Sequence, residues 1–270
     1  MKIFLGPAGV PISAKERTSI GGVERVAELG LNAMEVEFVR GVRMSNDAAK
    51  ELGKAARDAS VRLSIHGPYF INFSSKEKQK VLASHRMVRD CADRGVNMGA
   101  TVVVIHAGYY GMRNSEQCTA TMLDELSALE KDFSNVYLGL ETTGRQSQWG
   151  TLDEILEVCK KLKFCIPVID FAHIYARNGG RIDYAEILDK VKHFKWLHCH
   201  FSGINWTAAG INKGNEKNHI PMKQGKPDFE PLAREILKRK QDVTIISESP
   251  ILEKDALYMK ETFERLGYKF

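Results

Sequence analysis

Eight short apolar runs, each followed by a helical pattern, predict an α/β fold of the (β/α)8 TIM-barrel type. Three observations carry that expectation. Strand and helix alternate without interruption, which implies a parallel sheet. Eight such units fit within 270 residues, a usual length for a (β/α)8 barrel. Six of the eight runs end in His, Asp or Glu, and in such a barrel the chemistry gathers at the C-terminal ends of the strands. A doubly wound open sheet is the structural alternative. It would be expected to carry a Gly-rich dinucleotide turn, and no GxGxxG occurs.

In chain order, Lys2 to Leu5 reads as a first strand, closed by Gly6-Pro7. A helical pattern from about Ile20 sets Val23, Val26, Ala27 and Leu29 on one side and stops at Gly30. Asn32 to Phe38 is a second strand, and Ser45-Asn46-Asp47 caps a helix through about Ala59. Val61 to Ile65 is a third strand, ending at His66-Gly67-Pro68. Ser74 with Glu77 predicts a capping box for a helix to about Arg94. Thr101 to Ile105 is a fourth strand, ending at His106, and a helix over about Glu116 to Lys131 follows. Val136 to Leu140 is a fifth, ending at Glu141, and Thr151 with Glu154 boxes a helix to about Lys161. Ile166 to Ile169 is a sixth, ending at Asp170, and Asp183 with Glu186 starts a helix through Val191. Phe194 to Cys199 is a seventh, ending at His200. A long polar loop leads to Asp228, which opens a helix to about Arg239. Val243 to Ser247 is an eighth, ending at Glu248, and Leu252 to Leu266 is the last helix. No composition break or internal repeat divides the chain, so residues 1–270 are expected to form a single domain.

The apolar fraction of 43% and charged fraction of 27% suit a water-soluble globular protein. The net charge of +5 is compatible with a polyanionic partner and equally with a solubility surplus of Lys. The five cysteines are odd in number and contain no CxxC, which points to reduced thiols and a cytoplasmic setting. Met1 to Leu5 runs straight into a Gly-Pro turn, too short for a signal peptide. No apolar run approaches the roughly 20 residues a membrane helix needs.

Taken together, the strand ends deliver His66, His106, Glu141, Asp170, His200 and Glu248 to one mouth, with His173 three residues after Asp170 and His219 in the loop after the seventh strand. Each alone has an ordinary role as a helix cap or loop hydrogen-bonder. As a set, four or more imidazoles and three carboxylates in one cleft repel or stay desolvated unless a cation pairs them. Imidazole with carboxylate is a ligand set for zinc or manganese. A carboxylate can bridge two ions, and Glu141, central in strand order, is the natural bridge. Two or more divalent ions suit in-line phosphoryl chemistry.

At these residues the sequence resembles the endonuclease IV family of apurinic/apyrimidinic endonucleases. The matching stretches are Ser64-Ile65-His66-Gly67-Pro68-Tyr69-Phe70-Ile71-Asn72, Val104-Ile105-His106-Ala107-Gly108, Leu140-Glu141-Thr142, Ile169-Asp170-Phe171-Ala172-His173, His198-Cys199-His200-Phe201 and Ser247-Glu248-Ser249-Pro250. They fall in the family's order from the third strand to the eighth. The resemblance implies a TIM barrel holding two to three zinc ions, with manganese as the alternative metal. It implies that His66, His106 and Glu141 hold the first ion, Glu141, Asp170, His200 and Glu248 the second, and His173 and His219 the third. Glu141 and Glu248 would be the catalytic carboxylates. The implied reaction is hydrolysis of the phosphodiester 5′ to an abasic site in double-stranded DNA, leaving a 3′-hydroxyl. Tyr69 and Phe70 correspond to the loop that wedges into the duplex. Arg40 and Arg43 are candidates for phosphate contact, and Asn72 for a DNA contact or a brace within its loop. A monomer is expected.

Three departures stand out. The family has an Asp two residues before the third-site His; here that residue is Lys217, and Glu216 is the neighbouring carboxylate that a shifted loop would have to bring in. Phe171-Ala172 replaces Thr-Cys, and Ser202-Gly203 replaces Asn-Asp. The rival reading is a sugar isomerase or epimerase with one divalent ion on Glu141, Asp170, His200 and Glu248. His66, His106, His173 and His219 separate the two, because a one-ion sugar enzyme does not need them as a cluster. A lesion-binding protein without catalysis is a third class. His198 shares a strand face with His200 and is expected to support it from the interior. His85 and His193 are expected on the surface of helices.

Overall fold

The computed structural model describes residues 1–270. In chain order the elements are β1 (Ile3–Pro7), α1 (Ser19–Glu28), β2 (Ala33–Glu37), α2 (Asn46–Asp58), β3 (Arg62–His66), α3 (Lys78–Met98), β4 (Val102–Ile105), β5 (Gly108–Tyr109), α4 (Ser115–Ser127), β6 (Tyr137–Glu141), β7 (Gln148–Trp149), α5 (Leu152–Lys161), β8 (Cys165–Asp170), α6 (Phe171–Arg177), α7 (Tyr184–Val191), β9 (Trp196–Phe201), β10 (Gly203–Ala208), β11 (Gly214–Ile220), α8 (Phe229–Arg239), β12 (Asp242–Ser247) and α9 (Glu253–Arg265). Eight strands form one sheet in the order β1-β12-β9-β8-β6-β4-β3-β2. This is the (β/α)8 TIM-barrel fold expected from the alternation. No helix is long and apolar enough to cross a membrane.

The chain divides into two compact units. One comprises residues 1–34, 144–146 and 169–270. In it β1 runs parallel to β12 and β12 parallel to β9, with Ile246 opposite His200. Before β2 the Asn32 side chain bonds to β1: its Oδ1 accepts from Leu5 N at 2.7 Å and its Nδ2 donates to Ile3 O at 3.1 Å. Gly6 faces Ala33 there, and a Cβ on Gly6 would stand 1.6 Å from the Ala33 carbonyl oxygen. Only glycine allows that approach of the two backbones.

The other unit comprises residues 35–143 and 147–168. Here β3 pairs with β4, β4 with β6 and β6 with β8, all parallel. Val102, Val103, Val104 and Ile105 are all buried. A parallel strand covered on both faces reads as a continuous apolar run, which is why β4 is visible in the sequence.

Helix starts follow the short polar residues. Thr18, Ser45, Asn114, Thr151, Asp170 and Asp183 each accept a backbone N–H in the first turn of the helix they precede. The expected Ser74–Glu77 box does not form. α3 begins at Lys78 without a side-chain cap. Ser74 is drawn instead into the loop before it, where Asn72 Oδ1 accepts from its backbone N and its hydroxyl. α3 also runs on to Met98, past the expected end at Arg94. The helix expected over Glu116 to Lys131 is shorter, ending at Ser127, with a separate 3-10 turn from Glu130 to Phe133. The segment after β9, expected as a polar loop, contains the antiparallel hairpin β10–β11. α6 was also not anticipated, because its seven residues lack room for an apolar period.

Candidate metal centre

Two groups of ligand-type side chains stand at strand ends, one in each unit. In the second unit, His66 closes β3, Glu141 closes β6, and His106 follows β4, the strand between them. Parallel pairing sets Ile105 beside Leu140, so His106 and Glu141 leave their strands side by side. Glu141 Oε2 lies 3.1 Å from His66 Nε2 and 2.8 Å from His106 Nε2. His66 and Glu141 are buried, and His106 is partly exposed. His66 Nδ1 is 2.9 Å from the Gly67 carbonyl oxygen. A carbonyl only accepts, so Nδ1 carries a proton and Nε2 is the atom presented to Glu141.

Burial works against a charged His66 and is the largest single effect. The Glu141 hydrogen bond and the fields of Glu37, Glu141 and Glu35 outweigh it and raise the imidazole to about 10. The surroundings are therefore negative enough to demand a positive charge. A divalent cation supplies more of it than a proton does. One ligand atom from each of His66, His106 and Glu141 lies within 4.8 Å of the others. Tetrahedral zinc with bonds near 2.0–2.1 Å needs ligand atoms about 3.3 Å apart, so the donor set fits such an ion.

In the first unit, Asp170 ends β8 and caps α6, accepting from His173 N at 2.6 Å. The Asp-x-x-His spacing thereby places His173 one turn up, with Nδ1 3.6 Å from Asp170 Oδ2. His173 Nε2 lies 3.2 Å from His219 Nε2, delivered by β11. Ser202 Oγ lies 2.5 Å from His219 Nδ1, which turns Nε2 of that ring toward His173. Glu248, just beyond β12, sets Oε1 3.2 Å from His200 Nδ1 and Oε2 3.9 Å from His219 Nε2. Asp170, His173, His219 and Glu248 each offer a ligand atom within 4.8 Å of the rest. Two carboxylates and two imidazoles at this spacing, with Asp170 and His173 buried, again suit a cation of the zinc or manganese type.

The remaining expected residues fall as follows. Tyr69 and Phe70 stand on the loop after β3, 59% and 69% exposed, and the Tyr69 ring is 5.8 Å from that of His66. Such exposure of two adjacent aromatics beside a buried polar group leaves their faces open to a ligand. Asn72 braces that loop: its Oδ1 accepts from Ser74 N, and its own backbone N donates to Ser84 Oγ at 2.8 Å. Arg40 and Arg43 are exposed. His198 is buried beside His200, ring centroids 5.5 Å apart. His193 is exposed but lies just past α7. His85 departs from expectation: it is buried, packs 5.1 Å from Phe73 and meets Glu125 at 2.8 Å. The α3 face it shares with Ser84 and Val88 is covered. All five cysteines are free and buried, and burial raises the Cys91 thiol to about 12.

Sequence reasoning missed Ser202 as a support of His219. Its signal was alternation, since Ser202 lies two residues beyond His200 on the same strand course. The acidic pair Glu35 and Glu37 around His66 was also missed, although both sit on alternate positions of β2.

Several known proteins are similar. An uncharacterised protein of Methanocaldococcus jannaschii is 36% identical over 98% of both chains. An apurinic-apyrimidinic endonuclease of Caenorhabditis elegans is 28% identical over 79% of this chain; the match spans 59% of that enzyme. Among solved structures, the 3-keto-D-glucoside 4-epimerase of E. coli superposes with a TM-score of 0.70 at 17% identity, covering 98% of both chains. Endonuclease IV of Thermus thermophilus superposes with a TM-score of 0.66 at 21% identity, covering 96% of this chain and 98% of that one. At these identities the superpositions speak for the fold alone. Residues 23–266 match the family described as xylose isomerase-like TIM barrel, and the chain belongs to that family.

Proposed function

We propose that this protein is a metal-dependent endodeoxyribonuclease that hydrolyses the phosphodiester 5′ to an abasic site in duplex DNA, leaving a 3′-hydroxyl, with residues 1–270 acting as one domain and one chain sufficing. The observation that carries the reading is the pair of imidazole clusters, His66 with His106 and His173 with His219. A sugar epimerase with one ion on Glu141, Asp170, His200 and Glu248 has no use for four further imidazoles. The nematode relative named as an apurinic-apyrimidinic endonuclease supports the same reading.

His66, His106 and Glu141 would hold one zinc ion, Glu141, Asp170, His200 and Glu248 a second, and His173 and His219 a third, with manganese as the alternative metal. Bound ions of this kind lower the pKa of a water to near neutrality and stabilise phosphate and leaving-group oxygens. Glu141 and Glu248 would be the catalytic carboxylates. Tyr69 and Phe70 supply apolar faces that replace the stack lost with the missing base. Asn72 holds their loop in place. Arg40 and Arg43 contact phosphate.

The test is a duplex with a single tetrahydrofuran residue, which cannot undergo β-elimination. Nicking 5′ to the lesion with a 3′-hydroxyl end, abolished by chelation, supports the proposal. No nicking by zinc-loaded protein, with isomerisation or epimerisation of a ketose instead, overturns it in favour of the sugar enzyme.

A further inference from the structure

We infer that Glu216 is a cation ligand with His173 and His219, brought into the site by a one-residue bulge at Lys217. The inference rests on the metal-centre reading above and not on the nucleic-acid substrate.

In an uninterrupted antiparallel strand, side chains alternate between faces. Lys217 would then share the face of His219, and Glu216 would point away. The β10–β11 ladder is not uninterrupted. Asn205 pairs with Asn218, but the next residue, Trp206, pairs with Glu216. Lys217 is the extra residue of a β-bulge, and a bulge displaces the alternation by one. Glu216 accordingly comes round to the side of His219, and its Oε2 lies 3.0 Å from His173 Nε2. Lys217 is exposed.

The surroundings are shaped for that carboxylate. Gly144 lies against it: a Cβ there would be 2.0 Å from Glu216 Oε2. Glu216 N donates to Gly144 O at 3.0 Å. Arg145 Nε stands 3.5 Å from Oε1, the oxygen not facing His173. The turn carrying Gly144 and Arg145 is fixed by Gln146, whose N donates to Asn215 Oδ1 at 2.8 Å and whose Nε2 donates to Gly214 O at 3.0 Å. One oxygen thus stands near an arginine, while the other meets His173 Nε2, itself 3.2 Å from His219 Nε2. The donor set is then His173, His219 and Glu216, with Lys217 at the position where the family resemblance implies an Asp.

The experiment is zinc and cobalt binding to the full chain stripped of metal. Stoichiometry is read by native mass spectrometry and elemental analysis, affinity by competition with a chelating dye, and ligand set by the cobalt absorption spectrum. Glu216→Gln should lose one equivalent or bind it at least ~10-fold more weakly, the scale on which even supporting contacts of a metal ligand act. Lys217→Gln should bind as the parent does. The double variant Glu216→Gln with Lys217→Asp should not recover the lost ion, because the bulge turns residue 217 outward. Unchanged stoichiometry and affinity in Glu216→Gln, or recovery in the double variant, overturns the inference. Circular dichroism checks the fold. If the amide disturbs the hairpin, Glu216→Asp, one methylene shorter, takes its place: weaker binding supports the inference and unchanged binding overturns it. A parent chain that binds the ion but leaves abasic duplex uncut would remove the nuclease reading and leave Glu216 as a ligand.

Discussion

Replacing Glu141 by Gln tests the electrostatics of the centre before any substrate is involved. The carboxylate is buried, and its Oε2 sits 3.1 Å from His66 Nε2 and 2.8 Å from His106 Nε2. Without metal, a protonated His66 is the counter-charge. Removing one partner of a buried charged pair costs about 3–5 kcal/mol. The amide keeps an acceptor oxygen in nearly the same place, so the lower end of that range, about 3 kcal/mol, is expected. At roughly 2–4 °C per kcal/mol for a large domain, the melting temperature falls by about 6–12 °C.

The pH dependence carries a definite sign. His66 is raised to about 10 in the folded chain, above the roughly 6.5 of an unfolded histidine. Its contribution is therefore complete below about pH 6.5 and is lost as pH rises through about 10. Glu141→Gln replaces the charged acceptor of the hydrogen bond that is the largest of the causes raising it by a neutral one, and removes the Glu141 charge. The gap between parent and variant should be widest near pH 6 and close steadily toward pH 10. Calorimetry or urea titration of metal-free protein at several pH values measures both quantities. A gap under about 0.5 kcal/mol, the scatter of neutral surface changes, or one that widens with pH, would refute the argument.

Tyr69→Ala should weaken binding to abasic duplex by about 1–3 kcal/mol, the worth of one stacked base, and leave zinc content unchanged; equal loss on intact duplex would remove the wedge role. Glu253 is buried and accepts from the backbone N of Ile12 and of Ser13, each at 2.8 Å. Burial opposes its charge, but these bonds hold its carboxyl below the usual Glu range. Its contribution is present above the ordinary Glu value near 4.3 and fades as pH falls below it. Glu253→Gln should cost about 1.5–3 kcal/mol at pH 7 in a denaturant titration, and less at pH 3; equal cost at both would refute the charge assignment.

Much of the fold was legible because a parallel strand buried on both faces is a run of apolar residues, as in Val102–Ile105. The chemistry was legible at the strand ends, where His66, Glu141 and Asp170 close β3, β6 and β8. What could not be read depends on contacts distant in sequence. Ser74 has the spacing of a capping box with Glu77, yet Asn72 Oδ1 and the Tyr109 backbone compete for it and win. His85 looked like a surface residue because the cover over α3, including Glu125, comes from α4. The bulge at Lys217 has no composition signal, because a register shift is a property of two strands and not of one. The motif position at Lys217 alone argues for a weakened site, whereas the geometry brings Glu216 to the place.

The measurement closest to the central claim is a zinc titration of metal-free protein in the presence of duplex carrying one tetrahydrofuran residue. Bound zinc and nicked strand are followed on the same samples. No cleavage is expected before the second equivalent is bound, then hydrolysis 5′ to the lesion that reaches its full rate by the third. Saturation at one equivalent with intact duplex, and turnover of a ketose by that singly loaded protein, would contradict it.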